Sequence, residues 1–166
     1  IYKFYRTEKN GLVILNNAFD IFSIERPCVR DLAIPSIIVV RDPRDIWLSL
    51  NSNGENYIPS WEKNSNSKII KENLWPSDLN NFIIKYKSYM LKINNLKNDH
   101  LILKFEDLCL YPQKSIDKIS DYIKVDIKIK DLEKTVYNSK QNVGLWRKSN
   151  NNISLISKEL KQFLYE

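Results

Sequence analysis

Residues 37–49 have the sequence IIVVRDPRDIWLS, and they indicate the fold more strongly than any other part of the chain. Four successive β-branched residues without polar alternation are typical of a strand buried on both faces in the middle of a parallel sheet. Asp42 suits the N-cap of a following helix, and Pro43 suits its first position, where a missing N–H costs nothing. Asp45 completes an Asp-x-x-Asp variant of the capping box. This stretch therefore predicts a strand that passes directly into a helix.

Arg41 stands at the junction of these two predicted elements. The carboxyl end of a strand, beside the positive end of a helix, is where open α/β sheets bind phosphorylated ligands. A guanidinium can meet phosphate oxygens through two hydrogen bonds, and the Ser49 hydroxyl can reach the same group from the helix. The alternative is that the two arginines of this stretch only pair with its two aspartates on a solvated helix start.

The sequence RDPRD at 41–45, followed by Ser49, resembles a segment of the sulfotransferases that use 3′-phosphoadenosine 5′-phosphosulfate (PAPS). The family pattern is Arg-[Asp/Asn]-Pro-[Arg/Lys]-Asp-x-x-x-Ser at the end of a hydrophobic strand. In that family the Arg and the Ser hold the 3′-phosphate of the cofactor. The resemblance implies these roles for Arg41 and Ser49.

A second block, LILKFEDL at 101–108 followed by Tyr111 and Pro112, resembles the family's strand, Tyr/Phe-Glu-Asp-Leu, Pro and helix arrangement. It implies a contact with the adenine side of the nucleotide near Phe105.

A third block, SKQNVGLWR at 139–147, resembles the Arg-Lys-Gly-x-x-Gly-x-Trp-Lys segment that closes over the cofactor. Lys140, Gly144 and Trp146 keep their places, while Ser139 and Gln141 replace the family's Arg and Gly. The resemblance implies that Lys140 and Arg147 bind the cofactor. We expect residues 138–152 to form a mobile, loop-like flap.

The resemblance runs from about Leu12 to the end of the chain and implies one sulfotransferase-like domain over residues 1–166. The implied fold is a three-layer α/β/α structure with a mostly parallel central sheet, as in P-loop nucleotide-binding proteins. The implied reaction is transfer of a sulfuryl group from PAPS to a hydroxyl or amine of a small-molecule or glycan acceptor, without a metal. Adenosine 3′,5′-bisphosphate would be the nucleotide product.

The glycine-rich phosphate loop of the family has no counterpart here, since the only glycines are Gly11, Gly54 and Gly144. We expect the family's first strand, loop and helix to lie upstream of Ile1, so that the domain is N-terminally incomplete and inactive by itself. The alternative is a non-catalytic, sulfotransferase-like module that binds the nucleotide.

The catalytic base is not identified. Asn17 stands where many members of the family have a His, and an amide cannot take a proton. Asp20 and Glu25 are the nearby carboxylates, and an upstream residue is a further candidate. We expect His100 to be an ordinary loop residue at the end of the sheet opposite the site.

Composition limits the other possibilities. A chain of 166 residues with 43% hydrophobic content is one domain, and no apolar run approaches the ~20 residues of a membrane span. Cys28 and Cys109 lack the spacing of a metal site or disulfide pair, which suits a reducing, cytoplasmic setting. The net charge of +6 leaves a basic nucleic-acid-binding α/β domain as a further alternative, but lysines scattered along helix faces favour a solvated surface.

The remaining pattern predicts alternating strands and helices. A long helix with Ser77 as N-cap is indicated by apolar residues at helical spacing. We predict strands at 11–15, 35–40 and 101–105, helices at 43–52, 112–123, 132–136 and from Ser154, and a polar lid or insertion at 53–67. The core stripe of the long helix consists of Leu79, Phe82, Ile83, Tyr86, Met90 and Ile93.

Overall fold

The computed structural model describes residues 4–6, 13–15, 36–52, 76, 78–96, 100–149 and 153–164. The predicted lid or insertion at 53–67 lies outside these residues. So do Asn17, Asp20, Glu25 and Cys28.

The described strands form two small sheets. Strand β1 (Phe4–Arg6) pairs with β2 (Val13–Leu15) in antiparallel fashion, and β3 (Ile37–Val40) pairs with β4 (Leu101–Lys104) in parallel. The register places Ile37 opposite Leu101 and Val40 opposite Lys104. The parallel pairing of the two predicted blocks is therefore confirmed, whereas β2 belongs to a separate two-stranded sheet within the described residues.

Helices follow both strands of the parallel pair. Helix α1 (Pro43–Ser52) begins two residues after β3 and has the predicted bounds. Helix α2 (Leu79–Asn94) precedes β4, and α3 (Phe105–Leu110) and α4 (Pro112–Ile123) come after it. The chain continues with α5 (Leu132–Lys140), a 3₁₀ turn (Leu145–Lys148), α6 (Ser154–Glu159) and a second 3₁₀ turn (Lys161–Phe163). This mixed, helix-rich arrangement with a parallel strand pair is compatible with the α/β class.

The core lies between α2, the parallel strands and the C-terminal helix. Phe82 and Tyr86 of α2 are fully buried, as are Ile156 and Leu160 near the end of the chain. Burial of each large apolar side chain contributes about 1.5–3 kcal/mol to folding. The predicted stripe of α2 is thus confirmed as core, and the same cluster is completed by Ile38, Val40, Ile83, Tyr89, Met90, Ile93 and Phe163, with Ile46, Trp47, Leu50, Leu79 and Leu96 packed at its edge.

The prediction that β3 is buried on both faces is wrong. Ile38 and Val40 point into the core, but Ile37 is 39% exposed and Val39 is 47% exposed. Successive side chains of a strand point to opposite faces, so burial alternates where only one face is packed. The described core packs against the face that carries Ile38 and Val40.

Three helix boundaries differ from the predictions. Asp78, not Ser77, is the N-cap of α2, because its Oδ1 accepts a hydrogen bond of 2.8 Å from the Asn81 N–H. The strand β4 ends at Lys104, and α3 begins at Phe105, where acidic residues in the first turn favour a helix start. Helix α5 extends to Lys140, so the segment predicted as a loop begins inside a helix.

Candidate functional site

Arg41 lies at the centre of a cluster at the carboxyl end of β3. Its Nη1 donates to the Ser49 Oγ at 3.2 Å, and its Nη2 donates to the Asn142 carbonyl at 2.7 Å. The Arg41 Cζ lies 4.8 Å from the centroid of the Phe105 ring. Three of the five residues that the sequence singled out, Arg41, Ser49 and Phe105, are therefore in direct contact.

The core fixes the backbone that carries this arginine. The Tyr86 hydroxyl, from the buried stripe of α2, donates to the Arg41 carbonyl at 2.9 Å. Ser49 lies on α1, and Phe105 begins α3 directly after β4. Because the two strands are parallel, Arg41 and Phe105 both lie at the carboxyl end of the sheet.

The start of α1 is capped, although not as the capping box predicts. Asp42 Oδ1 accepts from the Arg44 N–H at 2.9 Å, which confirms Asp42 as a capping residue. The Asp42 N–H donates at 2.9 Å to Glu106 Oε1 from α3, so Glu106 takes the role predicted for Asp45. A capping box uses an acceptor three residues further along the same helix, whereas the acceptor of the Asp42 N–H lies on the neighbouring helix α3.

Arg44 and Asp42 form an ion pair, with Arg44 Nη2 at 2.6 Å from Asp42 Oδ2. Both side chains are buried, so this pair does not lie on a solvated helix start. Arg41 takes no part in it, because its own terminal nitrogens contact Ser49 and Asn142. The pairing that the alternative interpretation expects is therefore present for Arg44, although it is buried rather than solvated, and it is absent for Arg41.

Asp45 binds the C-terminal segment, a contact that the sequence did not predict. Its Oδ2 accepts from the Gly144 N–H at 2.7 Å and its Oδ1 from the Trp146 N–H at 3.0 Å. Gly144 adopts a φ of 71°, a left-handed conformation that favours glycine. The guanidinium of Arg44 lies 3.6 Å from the centroid of the Trp146 ring. The first turn of α1 thus contacts residues 144–146 through two side chains.

The two other predicted residues, Lys140 and Arg147, make their side-chain contacts within the C-terminal part of the chain. The Lys140 Nζ forms an ion pair of 2.6 Å with Glu133 Oε2 on the same helix. The Arg147 Cζ lies 4.8 Å from the centroid of the Trp146 ring.

Two buried groups beside Arg41 have shifted pKa values. Burial raises the pKa of Glu106, while the hydrogen bond from the Asp42 backbone and the charge of Arg41 act to lower it. Burial also raises the pKa of Cys109, and the nearby Glu106 adds to this effect. Cys109 is therefore a protonated, buried thiol rather than a nucleophile.

His100 directly precedes β4, at the amino end of the strand. Since Leu101 pairs with Ile37 and Lys104 with Val40, His100 lies at the end of the sheet opposite Arg41, as predicted. Its two ring nitrogens are buried and have no hydrogen-bond partner among the described residues.

The part of the chain that the structure describes contains no group of three or more His, Cys, Asp or Glu side chains that could hold a metal ion. None of the helices over the same residues has both the length and the apolar character needed to cross a membrane.

Comparison with known proteins identifies the family. Residues 27–164 match the family model described as a sulfotransferase domain. Neither the curated proteins nor the solved structures include a significant match to this chain. The family model covers most of the 166 residues, including all three sequence blocks and the whole cluster around Arg41. The chain therefore belongs to the sulfotransferase-domain family.

Proposed function

We propose that this chain carries the 3′-phosphate-binding part of a PAPS-dependent sulfotransferase, which transfers a sulfuryl group to an acceptor hydroxyl or amine. The observation that carries the proposal is the convergence of Arg41, Ser49 and Phe105 at the carboxyl end of β3. The proposed acceptor is a small molecule or a glycan. For the complete domain we propose a three-layer α/β/α fold with a mostly parallel sheet, and for the protein a cytoplasmic location.

The hydrogen bonds of Arg41 suit an anionic ligand. A guanidinium offers five N–H donors in a planar fork. Nη1 and Nη2 are held by two neutral acceptors, a hydroxyl and a carbonyl, and the buried Nε has no partner in the described part of the chain. Hydrogen bonds to a charged acceptor are about twice as strong as neutral ones. A phosphate would therefore compete well for these donors.

Phe105 is the proposed contact on the adenine side. Its ring lies beside the Arg41 guanidinium, and aromatic rings supply flat apolar surfaces on which a base can stack. Lys140 and Arg147 are proposed to add positive charge at the edge of the site. Lys140 would exchange its ion pair with Glu133 for the phosphate, an exchange of low cost because exposed ion pairs contribute only about 0–1 kcal/mol.

Sulfuryl transfer resembles phosphoryl transfer in depending on position and charge stabilisation. When bound, PAPS supplies the activated sulfuryl group. Arg41 and Ser49 would hold the 3′-phosphate, and Phe105 would orient the adenine, so that the nucleotide has one orientation. As in the family it resembles, the reaction is proposed to need no metal. No residue is assigned as the base, since Asn17, Asp20 and Glu25 lie outside the described residues.

The test is turnover by the full-length protein with PAPS and a panel of hydroxyl and amine acceptors, followed by mass spectrometry of the sulfated product. Adenosine 5′-phosphosulfate, which lacks the 3′-phosphate, should be used with a kcat/KM at least about tenfold lower, the loss of one charge-assisted hydrogen bond. Equal use of both donors would contradict the proposal. The control is Lys118→Ala, which removes an exposed cation of α4 and should leave the donor preference unchanged.

A second candidate function is a nucleotide-binding module without catalysis, favoured by Asn17 at the place of the family's base. The same experiment distinguishes the two functions. Tight binding of adenosine 3′,5′-bisphosphate with no transfer to any acceptor would favour the module.

A further inference from the structure

Asp45 is the one buried carboxylate of α1 that faces the C-terminal segment. It is fully buried, and each of its oxygens accepts one backbone N–H, from Gly144 and from Trp146. A buried carboxylate is costly unless its hydrogen bonds are satisfied. The N–H groups of Gly144 and Trp146 satisfy this carboxylate. Asp45 therefore strongly favours the arrangement in which residues 144–146 lie against α1.

Asp45 cannot itself contact a phosphate. An ionised carboxylate only accepts hydrogen bonds, and it repels a second anion. Yet it lies on α1 four residues before Ser49, a spacing that places both residues on one face of the helix. A carboxylate at this position is compatible with a phosphate site only if hydrogen-bond donors of the protein stabilise its negative charge. The two backbone N–H groups are such donors.

The segment held by Asp45 also contacts Arg41. The Asn142 carbonyl accepts from Arg41 Nη2 at 2.7 Å, two residues before the anchored Gly144. Lys140, two residues before Asn142, is the last residue of α5. The anchor at Gly144 thus holds the chain two residues away from the carbonyl that Arg41 contacts.

We propose that Asp45 is a positioning residue of the 3′-phosphate site, which holds residues 142–146 against α1 before any nucleotide is bound. The assignment of the ligand rests on the proposed function, whereas the anchoring itself does not. The proposal also changes the expected behaviour of the flap. If Asp45 holds residues 144–146 through these two hydrogen bonds, nucleotide binding need not order them.

The first test is hydrogen exchange of the full-length protein without nucleotide. Asp45→Asn keeps the size of the side chain but places an NH₂ group opposite one of the two backbone donors. The amides of Gly144 and Trp146 should then exchange roughly tenfold faster or more, the effect of losing a hydrogen bond to a charged acceptor. The amides of α2 should not change. Unchanged exchange at both positions would overturn the proposal.

Two further variants complete this test. Asp117→Asn alters an exposed carboxylate of α4 that accepts from Gln113, and it should leave residues 144 and 146 unaffected. Gly144→Ala acts on the same segment without touching Asp45. Its methyl group would meet the Arg147 guanidinium at a backbone angle that favours glycine. If Asp45→Asn does not fold, Gly144→Ala decides the matter, and it should accelerate exchange at Trp146.

The second test is the preference for the 3′-phosphate, which a purely structural role would not alter. The ratio of Kd values for adenosine 5′-monophosphate and adenosine 3′,5′-bisphosphate should fall roughly tenfold in Asp45→Asn. Faster exchange with an unchanged ratio would overturn the positioning role while the proposed function stands. A wild-type protein without any preference would instead contradict the proposed function, and the exchange result would still decide whether Asp45 anchors the segment.

Discussion

The junction of β3 and α1 and the C-terminal segment at 138–148 face each other, but they are held by different groups. At the junction, side chains make the contacts, as in the Arg44–Asp42 ion pair and the bond from Arg41 to Ser49. In the C-terminal segment, backbone groups of Asn142, Gly144 and Trp146 make the hydrogen bonds with Arg41 and α1, and the Trp146 ring adds one side-chain contact with Arg44.

This difference predicts which substitutions each region should tolerate. A backbone N–H or carbonyl is present whatever the side chain, so the identity of residue 142 has little influence on its contact with Arg41. The junction depends on the identity of each side chain. We therefore expect substitutions at the junction to have large effects and those in the C-terminal segment small ones, with Gly144 and Trp146 as the exceptions.

The largest effect is expected at the buried ion pair. Asp42→Ala removes the carboxylate that meets Arg44 and also a helix cap, and breaking a buried pair costs about 3–5 kcal/mol. The free energy of unfolding from urea denaturation measures this loss. Asp126→Ala is the matched control, because its ion pair with Lys128 is exposed and should contribute at most about 1 kcal/mol. Equal losses in the two variants would show that the junction is not held by this pair.

A smaller effect is expected from the core contact beneath Arg41. Tyr86→Phe removes the hydroxyl that donates to the Arg41 carbonyl but keeps the buried ring, and one such hydrogen bond is worth about 0.5–1.5 kcal/mol. Urea denaturation should show this decrease. Tyr137→Phe, on the exposed surface of α5, should leave stability unchanged. A similar decrease in both variants would contradict the role of Tyr86.

Glu106 should give a still smaller effect that depends on pH. Burial raises its pKa above the ordinary value of 4.5, so the folded protein binds this proton more tightly than the unfolded chain does. The resulting stabilisation is present below the ordinary pKa and is lost as the pH rises through the raised pKa.

Glu106→Gln cannot titrate and keeps an acceptor for the Asp42 N–H. Its stability relative to the wild type should therefore increase as the pH rises from about 4 to about 7. Urea denaturation across this range measures the difference. A difference that is constant with pH would contradict the raised pKa.

The smallest effect is expected in the C-terminal segment. Lys140→Ala removes an exposed ion pair with Glu133 and should change the free energy of unfolding by at most about 1 kcal/mol. Its effect should instead be on the affinity for adenosine 3′,5′-bisphosphate, measured by calorimetry. A large loss of stability with unchanged affinity would make Lys140 a structural residue.

The same difference explains what the sequence could predict. The β3–α1 junction depends on capping and proline placement, which act within a few residues, and α1 has its predicted bounds. The partners of Asp45 lie 99 and 101 residues away, and no local pattern marks them. The glycine at position 144 is the one sequence signal of a special backbone position in that segment, and its positive φ explains why glycine suits it.

The missed helix boundaries have equally local causes. Phe105 continues the apolar pattern of β4, and only the acidic pair that follows it favours a helix start. Helix α5 has no buried residue, so it lacks the apolar stripe from which its end at Lys140 could be predicted. For this reason the prediction of a loop over residues 138–152 is wrong at residues 138–140, which belong to α5.

The central claim is that Arg41 binds a 3′-phosphate, and calorimetry on the full-length protein tests it most directly. Arg41→Ala should weaken binding of adenosine 3′,5′-bisphosphate roughly tenfold to hundredfold for each charge-assisted hydrogen bond lost. Binding of adenosine 5′-phosphosulfate, which lacks the 3′-phosphate, should change far less, and Lys118→Ala should alter neither affinity. Equal weakening for both nucleotides in Arg41→Ala would contradict the account and make Arg41 a structural residue.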